Sequence, residues 1–369
     1  MVAFEITILG ANGGPSEYAT QCFILKPART EDSELIAVDG GGGMHQLREL
    51  LAQGQNDNEG YDELVLSFYE HDREPIEFFI DPRLTIQKGL SKSLLQSLKR
   101  HGAHFESANT TNKAFKLFQG ITDYYITHPH FDHINGLVIN SPSIYEQENT
   151  KKKTIWGLPH TIDALQKHVF NDLIWPDLTA ERSEKLKLRS LNSKEIQKCT
   201  IFPWDVIPFK VHHGVGVKTG APVYSTFYIF RDRKSKDCII VCGDVEQDHG
   251  GCEENLLEEF WLYVAENIPL VHLKGILVEC SCPLSSKPEQ LYGHLSPIYL
   301  INELSNLNTL YNSSRGLSGL NVIVTHVKAT PAKRDPRLTI LEELRFLAQE
   351  RNLGDLRISI ALEGHTLFL

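Results

Sequence analysis

The residues best suited to chemistry lie in one short stretch, Thr127-His128-Pro129-His130-Phe131-Asp132-His133, directly after a predicted strand. Four side chains of the metal-ligating type fall within six residues there. Imidazole and carboxylate groups are natural ligands of Zn²⁺. A loop that leaves a strand end can turn successive side chains toward different centres. His128 and His130 can therefore share one metal ion while Asp132 and His133 reach a second.

Two metal ions need more ligands than this stretch supplies, and further candidates follow other predicted strands. His212 and His213 come directly after a strand that closes at residues 210–211. Asp244 follows the apolar run 239–241, and His326 follows the predicted strand 322–325. Because loops at strand ends converge on one rim of a sheet, we expect these side chains to meet the first four.

The elements that must position these residues are strands in both halves of the chain, with helices between them. Strands are predicted at residues 4–9, 21–26, 35–38, 120–127, 227–230, 238–242, 275–278, 322–325 and 356–362, the last being the final strand. Helices are predicted at 91–100, soon after Gly157, and at 253–267, 297–304 and 337–351. Short glycine-rich turns join the first three strands, which favours an antiparallel start to the sheet.

The domain organisation follows from the same pattern. Residues 54–75 are mostly polar and acidic, and we interpret them as a surface insertion. No linker rich in glycine, serine or proline is long enough to divide the chain. We therefore expect residues 1–369 to form a single α/β domain of two stacked sheets with helices outside.

The net charge bears on whether the protein binds nucleic acid, and the cysteine content bears on the cellular compartment. The formal net charge is −10, and the basic runs are short, so a grip on long nucleic acid is not expected. The seven cysteines include no C-x-x-C pair, which favours a reduced, cytoplasmic setting over a disulfide framework. The first residues lack a basic region of the secretory type, and no apolar run approaches the ~20 residues that span a bilayer.

In their order along the chain, these candidate ligands resemble those of the metallo-β-lactamase superfamily, and so do the turns at residues 9–14 and 39–41. The stretch 128–142 further resembles the signature of the class II cyclic-nucleotide phosphodiesterases, the fungal low-affinity cAMP enzymes and their relatives. Gly136, the apolar run 137–139 and Ser141-Pro142 carry that likeness, which runs through nearly the whole chain. Phe131 stands where the family usually has leucine, but it is not a metal ligand.

The resemblance implies an αββα sandwich of two mixed sheets that holds two Zn²⁺ ions, although such ligands accept Mn²⁺ or Fe²⁺ as well. It implies one ion held by His128, His130 and His213, a second held by Asp132, His133 and His326, and Asp244 bridging both. His213 is preferred to His212 because a ligand histidine followed by glycine resembles the family's loop. Asp39 is expected to hold the turn below the metals.

The implied activity is hydrolysis of 3′,5′-cyclic AMP, with cyclic GMP as a second candidate, to the nucleoside 5′-monophosphate by a metal-bridging hydroxide. The implied catalytic residues are Asp132, His294 as proton donor to the leaving oxygen, and Glu279, which would orient His294. The implied partner is a small cyclic nucleotide, without long nucleic acid or membrane, and a homodimer is an option that the superfamily allows.

Two alternatives stay open on the sequence alone. One is another hydrolase of the same fold, namely a tRNA 3′-processing nuclease, a thioesterase or a lactamase, although the nuclease would want a basic arm that this acidic chain lacks. The other is a non-catalytic module that binds zinc or a nucleotide. The nitrogen and oxygen ligands favour an open catalytic site over that module, because structural zinc sites are often rich in thiolate.

Overall fold

The computed structural model describes residues 2–53, 64–66, 69, 73–101, 108–143, 152–181, 183, 185–248 and 254–369. Its strands, in chain order, are β1 (Phe4–Gly10), β2 (Asn12–Gly13), β3 (Cys22–Pro27), β4 (Leu35–Val38), β5 (Leu64–Leu66), β6 (Arg73–Pro75), β7 (Thr85–Lys88), β8 (Ile121–Tyr125), β9 (Lys153–Gly157), β10 (Leu186–Ser190), β11 (Gln197–Lys198), β12 (Trp204–Val215), β13 (Pro222–Asp232), β14 (Cys238–Cys242), β15 (Leu273–Glu279), β16 (Asn321–Thr325), β17 (Val327–Lys328), β18 (Arg357–Ile360) and β19 (His365–Phe368). The helices are α1 (Met44–Gln53), α2 (Lys92–His101), α3 (Thr110–Gly120), α4 (Phe131–Asn140), α5 (Pro159–Ala164), α6 (Leu256–Asn267), α7 (Pro297–Tyr311) and α8 (Pro336–Glu350).

Most of these strands belong to two large mixed sheets. The first sheet has the order β10-β9-β8-β4-β3-β1-β19-β7, and the second has the order β11-β12-β13-β14-β15-β16-β18. In the first sheet β1, β3, β4, β7 and β19 pair antiparallel, whereas β4, β8, β9 and β10 run parallel. In the second sheet β11 to β14 pair antiparallel, whereas β14, β15, β16 and β18 run parallel. The predicted architecture of two mixed sheets with helices is confirmed.

Alternation of side chains along the strands divides the core into two layers. On β3, Phe23 and Leu25 join the core that also contains Trp204 of β12, and the Phe4 ring lies 5.0 Å from the Trp204 ring. Cys22 and Ile24 point the other way, into a second core formed with α1 to α4. This period of two is what a strand covered on both faces requires.

Helices α6, α7 and α8 contribute buried apolar side chains to the core that contains both sheets. Helix α6 packs on α7, and α7 packs on α8. Pro297 occupies the first turn of α7, where its missing N–H leaves no intrahelical bond unmade. None of the helices in the described part of the chain has the length and apolar character needed to cross a membrane.

Several element boundaries differ from the sequence predictions. The strand expected to close at residues 210–211 continues as β12 to Val215, because His212 still pairs with Tyr224 on β13. The strand at 356–362 is not the last, since Gly364 turns the chain with φ +75° and β19 then pairs with β1. Within the predicted insertion 54–75, β5 and β6 pair antiparallel, and residues 54–63, 67, 68 and 70–72 lie outside the described residues.

Candidate active site

The metal-type residues of the 128–133 stretch divide between a loop and a helix. His128 and His130 lie in the loop after β8, whereas Asp132 and His133 lie in the first turn of α4. The sequence analysis placed all four on a loop, which is wrong for the last two. A helical turn is what lets Asp132 and His133 approach the same centre from adjacent positions.

A glycine turn holds α4 in place beneath these residues. The Gly40 N–H donates to the His133 carbonyl oxygen at 2.6 Å, and the Leu137 N–H donates back to the Gly40 carbonyl oxygen at 2.7 Å. A β-carbon on Gly136 would lie 2.3 Å from the Gly42 carbonyl oxygen, so the helix and the turn touch backbone to backbone. The glycines at this contact therefore set the depth at which α4 sits.

The first cluster joins His128, His130, His213 and Asp244. The His213 Nε2 atom lies 3.3 Å from His130 Nδ1 and 3.7 Å from Asp244 Oδ2. The His128 Nε2 atom lies 3.6 Å from the same carboxylate oxygen. His212, the alternative ligand, points away and packs its ring 5.4 Å from Tyr224. The structure thus brings His213 and not His212 into the cluster.

The second cluster joins Asp132, His133, His326 and again Asp244. The Nε2 atoms of His133 and His326 lie 3.3 Å apart, and each lies 3.3 Å from Asp244 Oδ2. The Asp132 Oδ2 atom lies 3.2 Å from His326 Nε2 and accepts the Gly14 N–H at 3.1 Å. Asp244 is therefore common to both clusters, and its role as a bridging ligand stays a prediction.

The two clusters draw on both sheets. The stretch 128–133 follows β8 of the first sheet, whereas His213 lies on β12, Asp244 follows β14 and His326 follows β16 of the second. The centre therefore spans the rim between the two sheets.

Hydrogen bonds behind the clusters determine which ring nitrogen faces the centre. The His133 Nδ1–H donates to Asp39 Oδ2 at 2.8 Å, and the His213 Nδ1–H donates to the Gly293 carbonyl oxygen at 2.8 Å. Asp39 also accepts from the backbone N–H and the hydroxyl of Thr127 at 2.8 and 3.0 Å. Such outer partners fix ring orientation and raise the basicity of the ligand. Asp39 thus lies beneath the centre.

The protonation states of the first cluster suit a cation. Burial lowers the pKa of His128 well below its ordinary value and that of His213 to about 4, so both rings are neutral near pH 7. Burial opposes ionisation of Asp244, but His326, His133 and His128 outweigh it and hold the pKa of that carboxyl well below its usual range. Neutral imidazole and ionised carboxylate are the forms that bind metal.

The pKa of His133 and two buried atoms without hydrogen-bond partners also indicate that a cation suits this site. Burial opposes a charge on His133, yet Asp244 and Asp39 raise its pKa well above the ordinary value. Positive charge is thus favoured where its Nε2 atom meets Asp244. Among the described residues, His128 Nε2 and Asp244 Oδ1 are buried without a hydrogen-bond partner. A native structure rarely buries such atoms unpaired, so these residues fit divalent cations.

Beside the clusters lies a buried pair, His294 and Glu279. The His294 Nδ1–H donates to the Glu279 carboxylate, with the two oxygens at 2.9 and 3.0 Å. Glu279 also accepts the Ser281 hydroxyl at 2.6 Å and the Val245 N–H at 2.7 Å. Burial lowers the pKa of His294, but the carboxylate outweighs it and the pKa is raised. Because Nδ1 is engaged by Glu279, the Nε2 atom of His294 is the ring nitrogen available to a molecule in the adjacent cavity.

A cavity of about 590 Å³ opens above these groups. Its wall includes members of both clusters, among them His130 and His326, as well as His294, Tyr292 and Lys328. Lys328 was not among the site residues expected from the sequence. It follows His326 by two positions, and residues two positions apart lie on the same side of an extended chain. The Lys328 N–H donates to the Ser281 carbonyl oxygen at 3.0 Å, which fixes its backbone beside the site.

The chain has the metallo-β-lactamase fold, and the rim of its two sheets carries two His/Asp clusters that could hold metal ions. The chain is similar in structure to the metallo-β-lactamase fold protein YhfI from Bacillus subtilis, with a TM-score of 0.53 and 13% identity over 100% of both chains. At this level of identity the likeness shows the fold alone.

The family follows from three closer comparisons. The model of the cAMP phosphodiesterases class-II matches residues 36–364, and the chain belongs to this family. It is 88% identical, over 100% of both chains, to the 3′,5′-cyclic-nucleotide phosphodiesterase 1 of Saccharomyces cerevisiae (strain ATCC 204508 / S288c). A 3′,5′-cyclic-nucleotide phosphodiesterase of Candida albicans is 29% identical over 100% of both chains. The crystal structure of unliganded yeast PDE1 superposes with a TM-score of 0.96, at 87% identity over 100% of both chains.

These findings confirm the predicted fold class, family and enzyme class, a cyclic-nucleotide phosphodiesterase with a small cyclic nucleotide as substrate. The roles of individual residues as ligands, base or acid stay predictions.

Proposed function

We propose that this phosphodiesterase hydrolyses 3′,5′-cyclic AMP, and cyclic GMP as a second substrate, to the nucleoside 5′-monophosphate at a centre of two divalent metal ions. The observation that carries the proposal is the pair of His/Asp clusters that share Asp244. Ligand atoms in each cluster lie within 4.8 Å of one another, close enough to enclose one ion.

The proposed ligands follow the two clusters. His128, His130 and His213 would hold the first ion, and Asp132, His133 and His326 would hold the second, with Asp244 shared. When bound, two such ions supply an acidified water as nucleophile near pH 7 and neutralise the phosphoryl oxygens. Zinc is the expected metal because the donor set is imidazole and carboxylate, which Mn²⁺ and Fe²⁺ also accept.

His294 would serve the leaving group. Cleavage of the bond between phosphorus and the 3′ oxygen leaves the electron pair on that oxygen, and an alkoxide is a poor leaving group without a proton. Glu279 holds the Nδ1–H of His294, so the proton on Nε2 is the one that transfers to the 3′ oxygen. The neutral imidazole then regains a proton from water for the next turnover.

Lys328 would contact the phosphoryl group. Among the residues that the structure describes, no carboxylate lies within ion-pair distance of this half-buried side chain in the cavity wall. Burial raises the pKa of Cys282 and Glu279 raises the pKa of His294, and the charge of Lys328 opposes both shifts because it lies near these two side chains. The substrate is an anion, so an ammonium group at this position favours its binding.

The proposal treats residues 1–369 as one catalytic domain with a surface insertion at 54–75, since the two large sheets enclose a common core. A cytoplasmic location is proposed because six cysteines in the described part of the chain are buried thiols. Sedimentation of the purified protein would test the proposed homodimer.

The first experiment measures cAMP hydrolysis with and without a chelator, with the product identified and bound metal counted. We expect chelator-sensitive release of 5′-AMP and two metal ions per chain. Release of 3′-AMP would contradict the proposed attack, and metal-loaded protein without turnover of cAMP or cGMP would contradict the substrate.

Adjacent histidines on β12 give a matched pair of variants for the ligand assignment. His213→Gln should reduce metal content and activity together, because its Nε2 faces the first cluster. His212→Gln removes the same side chain one position earlier and should keep both ions. The reverse pattern would exchange the two assignments.

A further inference from the structure

Tyr292, at the mouth of the catalytic cavity, combines a disfavoured backbone with an exposed ring. Its φ angle is +50°, in the left-handed region that side chains other than glycine and asparagine avoid. Its side chain is 77% exposed, so the ring gains little from packing inside the protein. Such outliers persist where the surrounding structure imposes them, and they concentrate at functional sites.

The neighbouring residues explain the backbone of Tyr292. Gly293 has a φ of +82° and packs against Gly214, since a β-carbon on Gly293 would lie 2.9 Å from the Gly214 nitrogen. The Gly293 carbonyl oxygen accepts the Nδ1–H of His213, and the next residue is His294. The left-handed turn therefore places two groups of the active site.

The side chain of Tyr292 is not explained by that turn. A left-handed position that serves only to place Gly293 and His294 would be filled most easily by glycine or asparagine. A tyrosine with its ring in solvent meets the requirement poorly. Its exposure at the cavity mouth leaves the ring open to contact with a bound substrate.

The cavity indicates what such a contact would be. Tyr292 lines the cavity that is also lined by members of both clusters and by His294, together with the polar side chains of Ser286, Gln290 and Thr330. A cyclic nucleotide whose phosphate lies at the clusters must project its nucleoside along this wall toward the mouth. An aromatic ring there meets the flat face of the base.

We propose that Tyr292 is the base-stacking residue of this enzyme, with its ring packed against the purine of the cyclic nucleotide. The inference rests on the proposed position of the phosphate at the two clusters. Stacking on an aromatic side chain is tolerant of base identity, because every base has a π-face.

A second exposed ring offers a matched control. Phe131 is 74% exposed and lines an adjoining groove of about 310 Å³ with Ser16, Glu17 and Asn135. Asp132 and Gly14 separate that groove from the catalytic cavity, since both line each of them. Tyr292 and His294 line the cavity and not this groove, so the rings of Tyr292 and Phe131 line different openings.

The test compares the zinc-loaded wild type with Tyr292→Gly, Tyr292→Phe and Phe131→Ala. Calorimetry measures binding of 5′-AMP and of ribose 5-phosphate, which has the phosphate and sugar without the base. Tyr292→Gly should weaken 5′-AMP binding by about 5- to 150-fold, the equivalent of about 1–3 kcal/mol, and leave ribose 5-phosphate binding unchanged. Tyr292→Phe and Phe131→Ala should both retain 5′-AMP binding.

Thermal unfolding separates this role from a structural one. Glycine prefers the positive φ at position 292, so Tyr292→Gly should unfold at the wild-type temperature or above it. Unchanged 5′-AMP binding in Tyr292→Gly, an equal loss for ribose 5-phosphate, or a loss confined to Phe131→Ala would each overturn the stacking role. A wild type that binds neither compound would overturn the phosphate position and the stacking role with it.

Discussion

Replacing Glu279 with glutamine tests the proposed proton donor most directly. In the wild type the His294 Nδ1 atom lies 2.9 Å from a carboxylate oxygen of Glu279. The amide oxygen of glutamine can still accept this hydrogen bond. The substitution therefore keeps the geometry and removes the negative charge. A hydrogen bond to a charged group contributes about 1.5–3 kcal/mol and a neutral one about 0.5–1.5 kcal/mol. The substitution therefore removes about 1–1.5 kcal/mol from the imidazolium form, or about one pKa unit.

The sign of the effect follows from the raised pKa of His294. A proton donor is active below its pKa, so kcat falls as pH rises through that value, and Glu279→Gln should move the fall toward acid pH. Above both pKa values the protonated fraction, and with it kcat, should be about tenfold lower than in the wild type. Toward acid pH the two enzymes should converge.

The assay is a pH profile of kcat for cAMP, with bound metal measured at each pH. Glu303→Gln is a matched control, because Glu303 is also a buried glutamate but lies on α7 and accepts the Trp261 Nε1–H at 2.9 Å. The control should leave the kcat profile unmoved. A reduction in the kcat of Glu279→Gln that is the same at every pH, or that accompanies loss of bound metal, would refute this role for His294.

Three further predictions concern the support of the site and the stability of the fold. Asp39→Asn should weaken metal binding by about 10- to 100-fold, measured by chelator competition, because it loses the charge that faces His133 Nδ1; unchanged affinity would contradict this. Burial raises the pKa of Glu303 to about 7, so the folded state holds a proton that the unfolded state releases near pH 4.5. Its contribution to stability should therefore fall from about pH 4.5 to about pH 7, and Glu303→Gln should flatten that part of the Tm profile; parallel profiles would count against it. Gly136→Ala should destabilise the protein by about 1–3 kcal/mol in urea unfolding, because its β-carbon would lie 2.3 Å from the Gly42 carbonyl oxygen, and a neutral result would mean that α4 can shift.

The sequence indicated which residues the structure brings together because these residues are local or follow strongly apolar strands. His128 to His133 form a dense pattern, and Asp244 and His326 each come after a strand that is buried along its length. Strands of this kind are recognisable from composition alone. The proximity of the residues that follow these strands could then be predicted, because the ends of neighbouring strands lie at the same edge of a sheet.

The features that the sequence did not predict depend on contacts between distant parts of the chain. Helix α4 contains Gly136 and β-branched residues, and it is held by bonds to the turn at Gly40 that no local pattern reveals. Strand β19 exists because it pairs with β1, more than 350 positions away along the chain. His212 and His213 are adjacent, and the glycine after His213 was the sequence signal that favoured it; the structure separates them by the direction in which the strand presents each ring.

Because the candidate ligands come from both sheets, metal binding would change the stability of the whole fold. Ions that bind the folded chain and not the unfolded one stabilise it by RT ln(1 + [M]/Kd), or about 2.7 kcal/mol when free metal is 100 times Kd. The candidate ligands after β8, β14 and β16 come from both sheets, so ions bound at the two proposed sites would add this stabilisation across the contact between the sheets. Metal starvation should therefore open this rim to proteolysis before the rest of the fold, and the supply of metal would set the lifetime of the enzyme as well as its rate.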